Sequence, residues 1–158
     1  MGPDDPAAPG DPHDLSRFVE AQAPAYDRAL AELRAGRKRS HWMWYVFPQL
    51  EGLGSSSTSV RFAIRSLDEA RAYLAHPVLG PRLLDCAEAV LVVEGRSARE
   101  ILGAPDDMKL RSCATLFACV ASAGSVFHRL LARYYGGAQD PRTLRLLGIA
   151  RDRGGRPG

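Results

Sequence analysis

Apolar side chains in this chain recur every three or four residues and never settle into strict alternation. Three- and four-residue spacing places side chains on one face of a helix, whereas a half-buried strand needs a period of two. No Asn-Gly or Asp-Gly pair marks a hairpin turn, and asparagine is absent altogether. The pattern predicts an all-α fold: a single-domain multihelical bundle over residues 14–148.

The expected helices follow from stripes and punctuation. Asp14 is an N-cap, and Leu15, Phe18, Val19 and Gln22 share one face behind it. Pro24 either kinks this helix or opens a second one carrying Tyr26, Ala29, Leu30 and Leu33. Gly36 ends that stripe as a left-handed cap. Asp68–Ala75 reads as a short helix. Pro77 and Pro81 flank the start of another, with Leu83, Leu84, Ala87, Val90 and Leu91 facing inward until Gly95. Ser97 and Glu100 have the spacing of a capping box. Asp106 or Asp107 caps the longest helix, expected around 107–122. Its face of Leu110, Cys113, Ala114, Phe117, Ala118 and Ala121 is rich in small residues, which let neighbours approach closely, so this helix is expected to be central and buried. Ser125 caps the next, Gly136-Gly137 breaks it, and Asp140-Pro141 starts a last one through Leu147.

At 158 residues the chain supports one domain with one core. No apolar run approaches the roughly 20 residues that span a bilayer. Residues 1–13 hold four of the eleven prolines and are expected to be a disordered acidic lead. The chain opens with acid where a signal peptide carries base, which points to a cytoplasmic protein. Residues 149–158 are expected to be a flexible basic tail. Residues 15–148 carry 18 basic and 13 acidic side chains, a charge of +5 that suits an anionic ligand and is too small for a nucleic-acid stripe. Cys86, Cys113 and Cys119 show no CxxC spacing, and the histidines lack metal-site spacing, so neither a metal nor a cofactor is expected.

Two segments concentrate chemistry. The first runs from Gly36 to Ser55. Its aromatic block around Trp42, Trp44, Tyr45 and Phe47 is a short strand or a buried helical turn, and core or pocket wall; periodicity decides neither. Trp42 or Trp44 would stack on a base, Lys38 would meet phosphate, and Gln49 and Ser55 would orient a ligand. Gly54, in a Gly-Leu-Gly-Ser loop, leaves backbone amides open to an anion. His41 is the candidate acid or base. The second segment, Asp106–Ser112, opens the central helix and supplies Lys109, Arg111 and Ser112; Asp107 and Arg111 are spaced to pair. The basic residues number 21, only Lys38 and Lys109 are lysine, and each falls in one of these segments.

The run His41–Ser55, with Glu69–Leu74, His76–Gly80, Asp107–Ser112 and Thr115-Leu116-Phe117, resembles the signature of a bacterial family known as domain of unknown function eighteen-ten. The resemblance extends over about residues 14–148 and implies a small, multihelical, cytoplasmic bacterial protein without an established activity. Members are often labelled calpastatin, a repetitive and disordered inhibitor; this chain has neither repeats nor a disordered body. A fainter similarity, carried by the aromatic block and the late Lys-bearing helix, is to small helical hydrolases associated with NAD and ADP-ribose. The functional expectation is a pocket that binds a phosphorylated nucleotide-like ligand such as ADP-ribose; if the protein is an enzyme, the expected reaction is hydrolysis of a glycosidic bond. The alternatives are a protein-interaction module with an exposed aromatic patch, or a weak nucleic-acid binder.

Overall fold

The computed structural model describes residues 10–149, so residues 1–9 of the lead and 150–158 of the tail lie outside the described residues. Within them the chain forms ten helices and no strand: α1 Ser16–Gln22, α2 Tyr26–Arg34, α3 Met43–Val46, α4 Ser57–Arg61, α5 Leu67–Ala75, α6 Leu79–Leu91, α7 Ala98–Leu102, α8 Asp106–Ala118, α9 Val126–Tyr135 and α10 Pro141–Leu147.

The small-residue helix is central, as its composition implies. Every residue of α8 from Ser112 to Ala118 is buried, and α8 packs against α5, α7, α9 and α10. It is shorter than the 107–122 expected. Its N-cap position is Pro105, so neither Asp106 nor Asp107 caps it; both lie in its first turn, where their charge complements the helix dipole. The second layer is α6, which rests on α2, α5 and α9. Gly80 permits the α5–α6 corner, because a Cβ there would stand 2.1 Å from the Leu74 carbonyl oxygen.

An aromatic ladder crosses the core. Phe62 meets Phe18 (5.7 Å between centroids), Phe18 meets Tyr73 (5.1 Å), Tyr73 meets Phe117 (5.5 Å) and Phe117 meets Phe127 (5.5 Å). Tyr73 is fully buried, and its hydroxyl accepts from Gln22 Nε2 at 3.0 Å; the same nitrogen donates to the Tyr45 carbonyl at 2.7 Å. The polar group of each of these buried side chains thus has a partner, as burial requires.

The helix punctuation holds in most places. Ser97 and Glu100 form a complete capping box, and Ser125 and Asp140 cap α9 and α10. At the N-terminus the chain departs from expectation. The N-cap position of α1 is Leu15, not Asp14, and the Asp11 carboxylate accepts from the amides of Leu15 (2.7 Å) and Ser16 (3.0 Å). Asp14 instead adopts a positive φ of 53° to turn the chain into the helix. Residues 10–13 therefore belong to the folded body rather than to a disordered lead. The aromatic block resolves into the helical turn α3, followed by an isolated parallel bridge between Leu50 and Ile64. Ser57–Arg61 form α4 under a Ser56 cap.

Candidate functional site

The two chemistry-bearing segments converge on one face. Trp44, Gln49, Gly54, Ser59, Val60 and Lys109 line a narrow cleft of about 30 Å³ between the chain after α3, helix α4 and the start of α8. A second lobe of about 320 Å³ continues it, sharing Gln49, Gly54, Ser59 and Lys109 and adding Met108, Ser112, Asp140 and Arg142. The first lobe has room for about one water, and only the second reaches the range of small-molecule sites.

The loop from 36 to 42 is shaped by one carboxylate. Glu32, on α2, accepts from the amides of Arg39 (2.9 Å) and Ser40 (3.1 Å), the Ser40 hydroxyl (2.6 Å) and Trp42 Nε1 (2.9 Å). Burial pushes its pKa up, but the Ser40 hydroxyl, the Arg39 amide and the Trp42 indole outweigh burial and bring it down to about 2. The Lys38 amide donates to the Ile101 carbonyl at 2.7 Å, which docks this loop on α7.

That docking delivers Lys38 to the start of α8. Lys38 Nζ lies 3.0 Å from Asp106 Oδ2, and Lys109 Nζ lies 3.6 Å from Asp106 Oδ1. Each ammonium also sits over an indole: Lys38 is 5.0 Å from the Trp42 centroid and Lys109 is 5.4 Å from that of Trp44. One carboxylate therefore holds both lysines of the chain, each against one of its two tryptophans. The two arms differ in exposure. The Lys38 side chain is only 9% exposed and Trp42 is core, whereas Lys109 is 27% exposed and Trp44 is half-buried on the cleft wall.

The expected site residues divide accordingly. Trp44, Gln49, Gly54, Lys109 and Ser112 come together in the cleft. Gly54 is there for packing as well as for open backbone, since a Cβ would stand 2.7 Å from Ser59 Cβ. Lys38 and Trp42 lie behind the cleft as supports. Ser55 and His41 are exposed and line neither lobe of the cleft. Arg111 does not pair with Asp107; its Nε and Nη2 donate to the carbonyls of Ala138 (2.9 Å) and Gln139 (2.8 Å) and pin the loop before α10. Asp107 Oδ1 is left buried without a partner.

Pinning that loop brings in a residue that reads in sequence only as a cap. Asp140 Oδ2 accepts from Thr143 Oγ1 (2.5 Å), the Thr143 amide (3.2 Å) and Ser112 Oγ (3.0 Å), while the Asp140 amide donates to Thr115 Oγ1 at 2.8 Å. Asp140 is thus fixed to α8 from both ends, at the floor of the second lobe. Ser59 and Arg142 also join the lining unannounced by any motif. The thiols lie elsewhere: burial pushes Cys86 up to about 12 and Cys113 well above its ordinary value, which keeps both protonated and unreactive.

A family model described as "Protein of unknown function (DUF1810)" matches residues 12–147, nearly all of the described chain. This chain belongs to the DUF1810 family. It is similar in structure to the conserved hypothetical protein Rv1873 from Mycobacterium tuberculosis, solved by crystallography at 1.38 Å, with 59% identity and a TM-score of 0.86 over 89% of this chain and 100% of that one. No curated protein matches. The DUF1810 match begins at residue 12, one residue after Asp11, and ends with α10 at Leu147. No helix among the described residues is long and apolar enough to cross a membrane.

Proposed function

We propose that the cleft binds a phosphorylated nucleotide-like ligand, such as ADP-ribose. One observation carries this reading: Trp44 to Ser59 and the first turns of α8, about fifty residues apart in sequence, supply an aromatic wall and an ammonium to the same cleft. Lys109 is the phosphate partner. Its 3.6 Å contact with Asp106 is long for a charge-assisted hydrogen bond, so its donors remain available. Gln49 lines both lobes, and Gly54 keeps the loop backbone free of side-chain bulk. Trp44 offers the ring surface against which a base packs.

The reading extends to binding and not to hydrolysis. His41, the acid or base expected from sequence, is exposed and outside the cleft. A docking role for the aromatic block has less support, because Trp42 and Phe47 are buried. A reducing cytoplasmic setting suits the three free thiols.

A ligand that binds only the folded state raises the melting temperature by mass action. ADP-ribose is therefore expected to raise the melting temperature of the wild type, with a dependence on ligand concentration. Lys109→Ala is expected to remain folded and lose the rise, whereas His41→Ala keeps it. A wild type that shows no rise with ADP-ribose overturns the reading.

A further inference from the structure

Asp140 is 9% exposed, lines the second lobe, and has its two carboxylate oxygens in different situations. Oδ2 is saturated by Thr143 Oγ1, the Thr143 amide and Ser112 Oγ. Oδ1 takes no hydrogen bond from the described residues, yet it is not enclosed: Asp107 Oδ1 alone among their side-chain oxygens and nitrogens is fully buried without a partner. An acceptor held rigidly by its twin oxygen, on a residue that lines the cleft, calls for a donor from the ligand, because a carboxylate only accepts. The cleft also carries Lys109 and Arg142, which call for an anion. A bare polyphosphate answers the cations but sets negative charge against Asp140. A phosphorylated sugar answers both, with phosphate toward Lys109 and ring hydroxyls toward Oδ1.

We infer that Asp140 selects ligands by accepting a hydrogen bond from a sugar hydroxyl, so that the cleft takes a ribose phosphate with free ring hydroxyls in preference to a bare polyphosphate. This rests on the nucleotide-like reading of the cleft and adds to it a named specificity-determining residue. Carboxylates read ribose hydroxyls in this way in dinucleotide-binding folds, and the chemistry does not depend on the fold.

Calorimetric titration of the full chain with ADP, 2′,3′-dideoxy-ADP and pyrophosphate tests it. On the wild type, ADP is expected to bind about tenfold to a hundredfold more tightly than the dideoxy compound, the worth of a hydrogen bond to a charged acceptor. Asn caps a helix as well as Asp, so Asp140→Asn preserves the start of α10 while removing the charge. In that variant the ADP preference is expected to collapse, whereas pyrophosphate binds as well or better because its repulsion is gone. A residue that merely caps α10 would leave the ADP preference of that variant intact, and that result overturns the inference. Equal affinity of the wild type for ADP and dideoxy-ADP overturns it without any variant. If neither binds while ADP-ribose does, the inference fails and the broader reading stands; if ADP-ribose also fails, both fall.

Discussion

Glu32 shows how far one side chain can determine the placement of others. It lies on α2, outside the cleft, and its four hydrogen bonds fold the 36–42 loop so that Lys38 reaches Asp106. Its pKa is lowered from the usual 4.5 to about 2 in the folded protein. A depressed carboxylate stabilises the fold fully above its unfolded pKa, and that contribution disappears as the pH falls through the folded value. The stabilisation from Glu32 is therefore complete at neutral pH and lost between about 4.5 and about 2. Glu32→Gln keeps the shape and does not titrate. It is expected to be less stable than the wild type by about 2 kcal/mol at pH 7, the scale of hydrogen bonds to a charged group. The gap should close on approaching pH 2. Urea denaturation of both proteins at several pH values measures it, and a gap that does not change with pH would show that ionisation of Glu32 contributes nothing.

Between elements, the same economy recurs at Arg17. From α1 its guanidinium donates to the carbonyls of His13, Asp14, Arg61 and Ala63 and to Glu69 Oε2 on α5, at 2.7–2.8 Å. Glu69 Oε1 in turn accepts from the Arg65 amide. The segment 61–65, which begins at the last residue of α4 and pairs Ile64 with Leu50, is thereby anchored between α1 and α5. Arg17→Met removes five hydrogen bonds at once and leaves Glu69 with only half-exposed Arg65 as a charge partner. The expected cost is about 3 kcal/mol, as for breaking a buried ion pair, read from chemical denaturation. A loss below about 0.5 kcal/mol, the size of a neutral surface change, would contradict the anchoring role. These two clamps also mark where the sequence stops being legible. Capping boxes, Asp-Pro starts and glycine stops act within four residues, so Ser97, Asp140-Pro141 and Gly136 can be read directly. Arg17 and Glu69 are 52 residues apart, and Asp140 and Ser112 are 28 apart. No local pattern distinguishes such an arginine from the solvated arginines around it, or such an aspartate from an ordinary cap. The cleft was half legible for the same reason. Trp44, Gln49, Gly54 and Lys109 stand in unusual local company, whereas Ser59, Asp140 and Arg142 become neighbours only through packing.

Across the whole molecule, stability is expected to be graded, and the gradient bears on function. The segment Ser112–Ala118 is buried throughout and surrounded by four helices, so its amides should open only on global unfolding. Helix α4 has no buried residue, and the loop before it is held mainly by the Ser56 and Ser59 hydroxyls. The cleft thus has one rigid wall, α8, and one weakly held wall, residues 52–61. Ligand binding to such a pair should order the weak wall against the strong one. Hydrogen exchange followed by mass spectrometry is expected to find 52–61 exchanging fastest among the helical regions that line the cleft, and 112–118 slowest in the chain. With saturating ADP-ribose, exchange should slow in 52–61 and at the start of α8, with no comparable change in 36–42, which Glu32 already fixes without ligand. Protection centred on 36–42 would instead place the ligand against the basic loop and Lys38. It would make Lys109 and Trp44, rather than Lys38 and Trp42, the supporting pair.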